Sequence, residues 1–370
     1  MKKIQPIVQT VVIGAIVLSL TLACWFHTPQ AYSISERSEL KQFPEWSSEA
    51  ILSGKFMEEF EEYAADQFPM RDTFRAWKAF VAGKIFLQSD NNGVYEAFGH
   101  ISETEYPESV DSFTHAKNTF DRIMANYLND TNRVYLSIIP DKNAFMADES
   151  GHLSLDYDAF YQKWRDYCHE TDVQYIDIVP LLELSDYYRT DTHWKQECIV
   201  DVAQTLAEAM GTTIPDDYVT HISDTPFYGV YSGRYALPYD ADTLCYLTNE
   251  AIDGMTASER LDLENSREMP IYDLEKLQGP DPYETYLSGP LSLITVENPN
   301  ASSDKNLIVF RDSFGSSVSP LLAQGYKSVT LVDIRYLSSR NLDAFLDFEG
   351  SDVLFLYSTM VLNSCKDTFK

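Results

Sequence analysis

The chain has 370 residues, and 44% of them are hydrophobic, which is enough for the core of one large or two modest domains. Asp and Glu total 57 against 28 Lys and Arg, giving a formal net charge of -29. This charge repels nucleic acid and excludes a broad basic surface for phosphate-rich polymers. Because acidity is also typical of an exported protein that must stay soluble, we use it only to limit the possible partners.

The N-terminus has the pattern of a membrane-insertion signal. Two lysines, Lys2 and Lys3, precede an apolar run from Ile7 to Phe26. A run of about 20 residues suits a spanning helix better than the shorter apolar region of a cleaved signal peptide. The lysines favour a cytoplasmic N-terminus. We therefore predict a single-pass anchor over residues 1–28 and an extracytoplasmic domain at the cell membrane, with a secreted or lipid-anchored form as the alternative.

The five cysteines bear on whether the anchor is lipidated and on whether the chain binds a metal or forms disulfides. Cys24 follows Leu22 and Ala23, as a lipidated cysteine would, but Thr21 occupies a place where such sites usually have leucine. The others are widely spaced, with no Cys-x-x-Cys pattern, and they are Cys168, Cys198, Cys245 and Cys365. We therefore predict no metal site. Export permits one or two disulfides, and buried free thiols are the alternative.

Residues 29–105 predict a helical N-terminal lobe. Two segments carry apolar side chains at helical spacing, namely Phe56, Phe60 and Tyr63 in the first, and Phe74, Trp77, Phe80 and Val81 in the second. The stretch from Asp66 to Asp72 separates them. A turn at Asn91-Asn92-Gly93 then leads into a short strand or hairpin at Val94.

Residues 106–370 alternate helices with apolar strand-like runs, which predicts an α/β domain with a parallel sheet. The predicted strands are Val134 to Ile139, Val173 to Ile178, Leu307 to Phe310, Val329 to Asp333 and Val353 to Tyr357. Residues 211–302 break this rhythm and are rich in turns and aromatic side chains. We predict that they form an insertion of short strands over the edge of the sheet.

Ser313 is the candidate nucleophile. It follows a buried-strand pattern ending at Phe310, and it precedes Gly315 and other small residues that permit a tight turn into a helix. Its hydroxyl would lie at the carboxyl edge of the sheet, where ligands bind in open α/β folds, beside amides able to stabilise an oxyanion. The alternative is a serine that only caps the helix.

A serine nucleophile needs a histidine base and a carboxylate that orients it. His193 has Asp191 two residues before it, and side chains at this spacing in an extended loop point the same way. The rival is His221, with Asp224 three residues later. An ordinary loop histidine packed by Trp194 is the second alternative.

Thr190-Asp191-x-His193-Trp194, followed far along the chain by Asp312-Ser313-Phe314, resembles the DHHW family. It is more distantly similar to the alginate O-acetyltransferase proteins of the SGNH hydrolase superfamily. Further matching stretches cover nearly the whole chain after the anchor, and they are Gly54-Lys55-Phe56, Asp66 to Asp72, Asn92 to Tyr95, Pro140-Asp141-Lys142, Tyr283 with Gly289, and Val332 to Tyr336.

The resemblance implies an SGNH hydrolase-like, flavodoxin-like three-layer fold. It implies that Ser313 is the nucleophile, that His193 is first base and then acid, and that Asp191 orients the imidazole. The implied reaction is transfer or removal of acetyl groups on a cell-surface polysaccharide, with no cofactor. A membrane-bound acyltransferase would supply the acetyl group, because acetyl-coenzyme A stays in the cytoplasm.

Two departures from the family pattern leave a second function open. Thr192 stands where the family name has its first histidine, a position expected to point away from Ser313. The glycine and asparagine blocks that complete the oxyanion hole of ordinary SGNH enzymes are missing. The alternative is therefore a catalytically inactive glycan-binding or envelope assembly protein.

Five further residues are candidates for contacts with a substrate. Trp194 adjoins the candidate base, and four others lie near predicted strand ends, namely Lys142, Arg311, Arg335 and Tyr336. Structural ion pairs and core packing are the alternative roles of these side chains.

Overall fold

The structure is a computed structural model that describes residues 4–370, so Lys2 and Lys3 lie outside it. The described residues form two compact units, one of residues 4–92 with 232–238 and the other of residues 93–231 with 239–370. Residues 93–105 therefore belong to the second unit, whereas the sequence places them in the helical lobe. No sequence pattern marks the return of residues 232–238 to the first unit.

The first unit is mainly helical. Its elements are α1 Ile4–Phe26, β1 Tyr32–Ser33, β2 Ser38–Glu39, α2 Ser48–Ser53, α3 Lys55–Asp66 and α4 Arg71–Phe80, followed by a π-helical turn over Val81–Ile85. Within α1, Ile7–Phe26 has a mean hydropathy of 2.3 and is long and apolar enough to cross a membrane.

Helices α2 and α3 are separate because Gly54 stands between them. Ser47 caps α2 by accepting a hydrogen bond from the Ala50 amide at 3.0 Å. Gly54 then adopts the left-handed conformation at φ 83°, which ends α2 at a position where a residue with a side chain would be strained.

The second unit alternates helices and strands. Its helices are α5 Val110–Tyr127, α6 Asn143–Ser150, α7 Tyr157–Thr171, α8 Val200–Ala209, α9 Val230–Tyr235, α10 Glu250–Asp253, α11 Gly315–Leu322 and α12 Thr359–Ser364. Helix α9 begins in this unit, and its residues from 232 on belong to the first unit. Its strands are β3 Val94–Ala97, β4 His100–Glu103, β5 Val134–Ile139, β6 Gln174–Tyr175, β7 Val219–Phe227, β8 Asp242–Thr248, β9 Thr256–Arg260, β10 Ser266–Met269, β11 Leu293–Glu297, β12 Asn306–Arg311, β13 Ser328–Val332 and β14 Asp352–Ser358.

Eight strands form the main sheet, in the order β10-β9-β11-β13-β12-β14-β5-β6. The five strands from β13 to β6 are parallel, as the sequence predicts. The structure corrects part of the prediction that residues 211–302 lie over the edge of the sheet. Its strands β9 to β11 pair antiparallel with one another and with the open edge of β13, so they extend the sheet. Only β7 and β8 pair separately, as a two-stranded sheet.

Strand β12 shows how the sheet divides the core into two apolar layers. Leu307 and Val309 pack into the cluster that includes residues of α8 and α11. Ile308 and Phe310 pack into the cluster that includes residues of α5 and α7. Because successive side chains of a strand point to opposite faces, a continuous apolar run fills both layers.

All five cysteines lie within the described residues, and all are free thiols. Burial raises the pKa of the Cys168, Cys245 and Cys365 thiols to about 12. Of the two alternatives that the sequence leaves open, the structure therefore has the free thiols.

We expect Phe120→Ala to lower the free energy of unfolding by about 3–5 kcal/mol. Phe120 is completely buried, and its ring centroid lies 4.3 Å from that of Phe355 and 5.8 Å from that of Tyr357. The control is Val110→Ala on the same helix, where the side chain is 68% exposed. Denaturant titrations of the second unit should show a large shift for the first variant and almost none for the second. Equal shifts would contradict this account of the core.

Candidate active site

Ser313 lies in the turn between β12 and α11, at the carboxyl edge of the parallel strands. It is partly exposed, whereas its neighbours Asp312 and Phe314 are buried. Space in this turn is restricted, because a Cβ atom added at Gly315 would lie 2.7 Å from the Cβ atom of Arg311. The small residue therefore allows α11 to begin directly after the serine.

Asp312 holds this turn in position. One of its carboxylate oxygens accepts the Phe314 amide at 3.0 Å, and the other accepts the Ser358 amide at 2.7 Å. Ser358 ends the neighbouring strand β14. A single completely buried carboxylate thus ties the turn to the adjacent strand, and charge-assisted bonds of this kind are stronger than neutral ones.

His193 connects Ser313 to Asp191. Its Nε2 atom lies 2.8 Å from Ser313 Oγ, and its Nδ1 atom lies 2.5 Å from Asp191 Oδ1. With a proton on Nδ1, Nε2 is free to accept the hydroxyl proton of the serine. The three side chains thus have the hydrogen-bond arrangement expected of a candidate nucleophile, base and orienting carboxylate in serine acyl transfer.

Both oxygens of the Asp191 carboxylate accept hydrogen bonds from the protein. The His193 amide donates to Oδ1 at 3.1 Å, and the Val230 amide donates to Oδ2 at 2.9 Å. Gly229 lies against the same residue, because an added Cβ atom would be 2.3 Å from Asp191 Cα. The chain around Gly229 therefore supports the carboxylate from behind.

The loop that carries Asp191 is anchored by Asp242 at the start of β8. The Asp242 carboxylate accepts the Arg189 amide at 2.9 Å, and it accepts the Thr190 amide and hydroxyl at 2.8 and 2.7 Å. The Gly229 amide in turn donates to the Thr190 hydroxyl at 2.8 Å. These bonds fix the backbone immediately before the candidate base.

The faces of the imidazole are covered by aromatic rings. Tyr283 stacks on His193 with a centroid distance of 3.7 Å and an angle of 7° between the planes, and Phe314 lies 4.9 Å away at a tilt. The Tyr283 hydroxyl and the Trp194 indole N–H both donate to Ser317 Oγ, each at 2.9 Å. Ser317 lies on α11, so the helix that follows Ser313 also holds the ring packed on His193.

The turn offers one free amide for an oxyanion. The amide of Phe314 donates to the Asp312 carboxylate, that of Gly315 to the Asp312 carbonyl, and that of Ser316 to the Ser313 carbonyl. Within the described residues the Ser313 amide has no protein acceptor. Amides at such a turn can stabilise the negative charge that develops during acyl transfer, and this one lies on the candidate nucleophile itself.

Two of the residues predicted to contact a substrate form hydrogen bonds within the protein instead. Arg311 is completely buried, and its guanidinium donates to the carbonyls of Asp312 and Leu291, both at 3.3 Å. Trp194 is completely buried as well, with its N–H directed to Ser317. Neither side chain is available to a substrate, because each fills the interior next to the turn.

Lys142 is also buried, 2% exposed, and its ammonium donates to the carbonyls of Tyr188 and Arg189 at 2.9 and 3.2 Å. It therefore supports the backbone before Asp191 and does not reach a substrate. Burial lowers its pKa to about 7, although the carboxylates of Asp191 and Asp242 oppose that shift.

The remaining predicted residues lie elsewhere. Arg335 makes a two-bond ion pair with Asp333, at 2.9 and 2.6 Å, and Tyr336 beside it is exposed. The rival base His221 lies on β7, where its Nε2 atom bonds the Thr248 hydroxyl at 2.8 Å. Thr192, the departure from the family name, contacts the Tyr231 hydroxyl and the Met360 sulfur at 3.1 and 3.3 Å.

Sequence reasoning gave no role to three residues that shape the site. Asp312 carried a local signal, because it directly precedes the candidate nucleophile. Tyr283 and Gly229 carried none that a single sequence reveals, because their contacts with His193 and Asp191 arise only when the insertion folds against the sheet.

We expect Lys142 to make the folded state more stable as the pH rises from about 7 towards 10.5. In this window the unfolded chain still binds the proton that the folded chain has released, so raising the pH favours the folded state. Lys142→Met should remove this part of the pH dependence, while Lys117→Met, at a partly buried lysine on α5, should leave it in place. The measurement is the midpoint of thermal unfolding against pH. Parallel curves for the wild type and Lys142→Met would contradict it.

The comparisons with known proteins agree with this fold. Residues 102–225 match the family model described as SGNH hydrolase-like domain, acetyltransferase AlgX. This segment contains Asp191 and His193 and ends before Ser313. No curated protein matches the chain.

Two solved structures illustrate the similarity. A DHHW family protein from Eubacterium siraeum has a TM-score of 0.58 at 19% identity, over 74% of this chain and 93% of that one. PatB1 of Bacillus cereus with a sulfonyl adduct has a TM-score of 0.58 at 16% identity, over 75% of this chain and 99% of that one. The predicted fold class and resemblance are confirmed: the chain has an SGNH hydrolase-like fold, and it is similar to a DHHW family protein and, over residues 102–225, to the family model of the acetyltransferase AlgX.

Proposed function

We propose that the chain is a membrane-anchored, extracytoplasmic enzyme that transfers acetyl groups to or from hydroxyls of a cell-surface polysaccharide. The observation that carries this proposal is the hydrogen-bond sequence from Ser313 through His193 to Asp191, at 2.8 and 2.5 Å. The match to an acetyltransferase domain model supports the acetyl group as the unit transferred. The apolar helix α1 supports the anchor.

In the first step Ser313 Oγ attacks the carbonyl carbon of an acetyl ester while His193 Nε2 takes the hydroxyl proton. The negative charge moves to the carbonyl oxygen, where the Ser313 amide is the available donor. Asp191 stabilises the imidazolium that forms. The carbon–oxygen bond to the leaving alcohol then breaks, the imidazolium returns its proton to that alcohol, and acetyl-serine remains.

In the second step an acceptor hydroxyl attacks acetyl-Ser313 under base catalysis by the same histidine, and the serine hydroxyl is restored. A sugar hydroxyl as acceptor makes the protein a polysaccharide O-acetyltransferase. Water as acceptor makes it an acetylesterase. In the transferase case the acetyl group is supplied outside the cell by a membrane-bound acyltransferase partner, because acetyl-coenzyme A stays in the cytoplasm.

A second candidate function is glycan binding without turnover. The turn around Ser313 has one amide free for an oxyanion, whereas serine acyl transfer normally uses more than one donor. Loss of donors of this kind costs orders of magnitude in rate.

We expect the full-length chain, purified in detergent, to form acetyl-Ser313 when it is incubated with p-nitrophenyl acetate. Ser313→Ala should abolish the adduct, and His193→Ala and Asp191→Asn should slow its formation by about 10²- to 10⁴-fold. Peptide mass spectrometry locates the adduct, and release of p-nitrophenol gives the rate. His221→Ala, at the rival histidine, is the control and should react like the wild type. Equal slow rates in all variants would contradict the triad and favour the binding function.

The product that receives the acetyl group distinguishes an O-acetyltransferase from an acetylesterase. With the acetyl-enzyme formed, an oligosaccharide acceptor is added and both free acetate and acetylated sugar are quantified. Acetylated sugar as the main product supports a transferase, and acetate alone supports an esterase. A sulfonyl fluoride offers an independent probe of the same serine, since PatB1 has been captured as a sulfonyl adduct.

We expect Gly229→Ala to lower the rate of acetyl-enzyme formation by about 10²-fold, because a small displacement of a catalytic group is that costly. The added Cβ atom would lie 2.3 Å from the backbone of Asp191 and must displace the carboxylate. Gly83→Ala is the matched control, since nothing lies within 4 Å of its added Cβ atom. Wild-type rates in Gly229→Ala would show that the position of Asp191 does not limit the reaction.

A further inference from the structure

Helix α4 and the turn after it expose an unusual number of large apolar side chains. We call the outward side of residues 71–87 the α4 face. Its apolar members are between 45% and 80% exposed, and they are Phe74, Trp77, Phe80, Ile85, Phe86 and Leu87. Soluble proteins rarely leave so many neighbouring apolar side chains in water, and such patches mark surfaces that contact a partner or a membrane.

The charge of this segment differs from that of the rest of the chain. Residues 71–87 carry four basic side chains, at Arg71, Arg75, Lys78 and Lys84, and one acidic side chain, at Asp72. The whole chain has a net charge of -29. The preceding helix α3 has the opposite character, with five acidic side chains and one basic one. Arg71 and Arg75 form ion pairs with carboxylates of Glu36, Asp66 and Asp72, so the positive charge of the α4 face lies mainly at Lys78 and Lys84.

A cavity of about 610 Å³ borders the α4 face within the first unit. Arg71, Arg75, Lys78 and Arg234 contribute to its lining, together with the single carboxylate of Glu36. Lys78 Nζ contacts the side-chain oxygens of Asn91 and Asn92 at 2.7 and 2.6 Å, and within the described residues it makes no ion pair with a carboxylate. Its positive charge therefore remains available to an anionic ligand.

The α4 face is tied closely to the end of α1. Gln30 is only four positions after Phe26, the last residue of α1, and an extended chain of that length spans at most about 14 Å. Gln30 is bonded to the side chain of Gln67 in both directions, at 2.8 and 2.7 Å. Arg71 follows four residues after Gln67 and begins α4. If α1 crosses a bilayer, the α4 face is held near the surface of that bilayer.

We propose that the α4 face binds the outer surface of an anionic lipid bilayer. Its aromatic side chains enter the interfacial layer, where amphipathic rings are most stable, and its cations contact lipid phosphates. The cavity beside Lys78 accommodates one such phosphate group. The protein would thus have a second, reversible membrane contact beside the spanning helix. This inference rests on the proposed anchor and is independent of Ser313 chemistry.

The test uses the full-length chain reconstituted into vesicles of phosphatidylcholine, alone or mixed with phosphatidylglycerol, with bromine atoms near the head-group end of the acyl chains. Bromine quenches tryptophan only at short range. The difference in emission between the wild type and Trp77→Phe gives the signal of Trp77 alone. The substitution by Phe keeps an aromatic ring in the α4 face. We expect the bromolipid to quench the Trp77 signal by about half or more when phosphatidylglycerol is present.

The lysines of the face provide a charge control. Replacing Lys78 and Lys84 by glutamine should remove the effect of phosphatidylglycerol on Trp77 quenching. The matched variant replaces Lys41 and Lys55, which pair with Glu62 and Glu59, and it should behave like the wild type. Equal loss in both double variants would overturn a role for the α4 face cations.

Trp25, near the end of α1, serves as an internal reference for the anchor. Its quenching persists in Trp77→Phe and reports insertion of α1, so a failure of the anchor is distinguished from a failure of the α4 face. Quenched Trp25 with unquenched Trp77 in both lipid mixtures would overturn the proposal. Shielding of Trp77 that depends on the number of protein molecules per vesicle, and not on the lipid, would overturn it in favour of contact between copies of the chain.

Discussion

The candidate site depends on how firmly one imidazole is held between two distant stretches of chain. The two ring nitrogens of His193 form hydrogen bonds, Nε2 with Ser313 and Nδ1 with Asp191. Two hydrogen bonds leave the ring free to rock about the line that joins them. The stacked ring of Tyr283, 3.7 Å away, removes that freedom, and Ser317 fixes Tyr283 in turn. The helix that begins beside Ser313, the candidate nucleophile, therefore also positions His193, the candidate base.

The sequence predicts those parts of the site whose signals are local. The apolar run before Ser313 and the small residues after it define a strand-to-helix turn, and the spacing of Asp191 and His193 places a carboxylate beside an imidazole. The roles of Arg311 and Lys142 could not be read in the same way, because a charged residue near a strand end can either face a ligand or be buried against carbonyl groups of the protein. Only the folded chain reveals the carbonyl groups that bind them.

The insertion gives a second example of this limit. Short strands between turns were recognisable in residues 211–302, but their partners were not, because register and pairing are decided by contacts far apart in sequence. Strands β9 to β11 extend the sheet at β13. The segment between β10 and β11 places Tyr283 against the imidazole of His193. The similar solved structures share 16–19% identity with this chain and support its fold, so its chemistry has to be argued from the site.

The free thiols have a consequence for how such a protein is made. A chain that matures outside the cytoplasm often needs an oxidase to join its cysteines and an isomerase to correct them. Cys168, Cys245 and Cys365 are buried, and burial raises the pKa of their thiols to about 12, so almost none of these three is present as the reactive thiolate. The fold can therefore be completed without redox assistance, and oxidants or reductants in the surroundings should leave its shape unchanged.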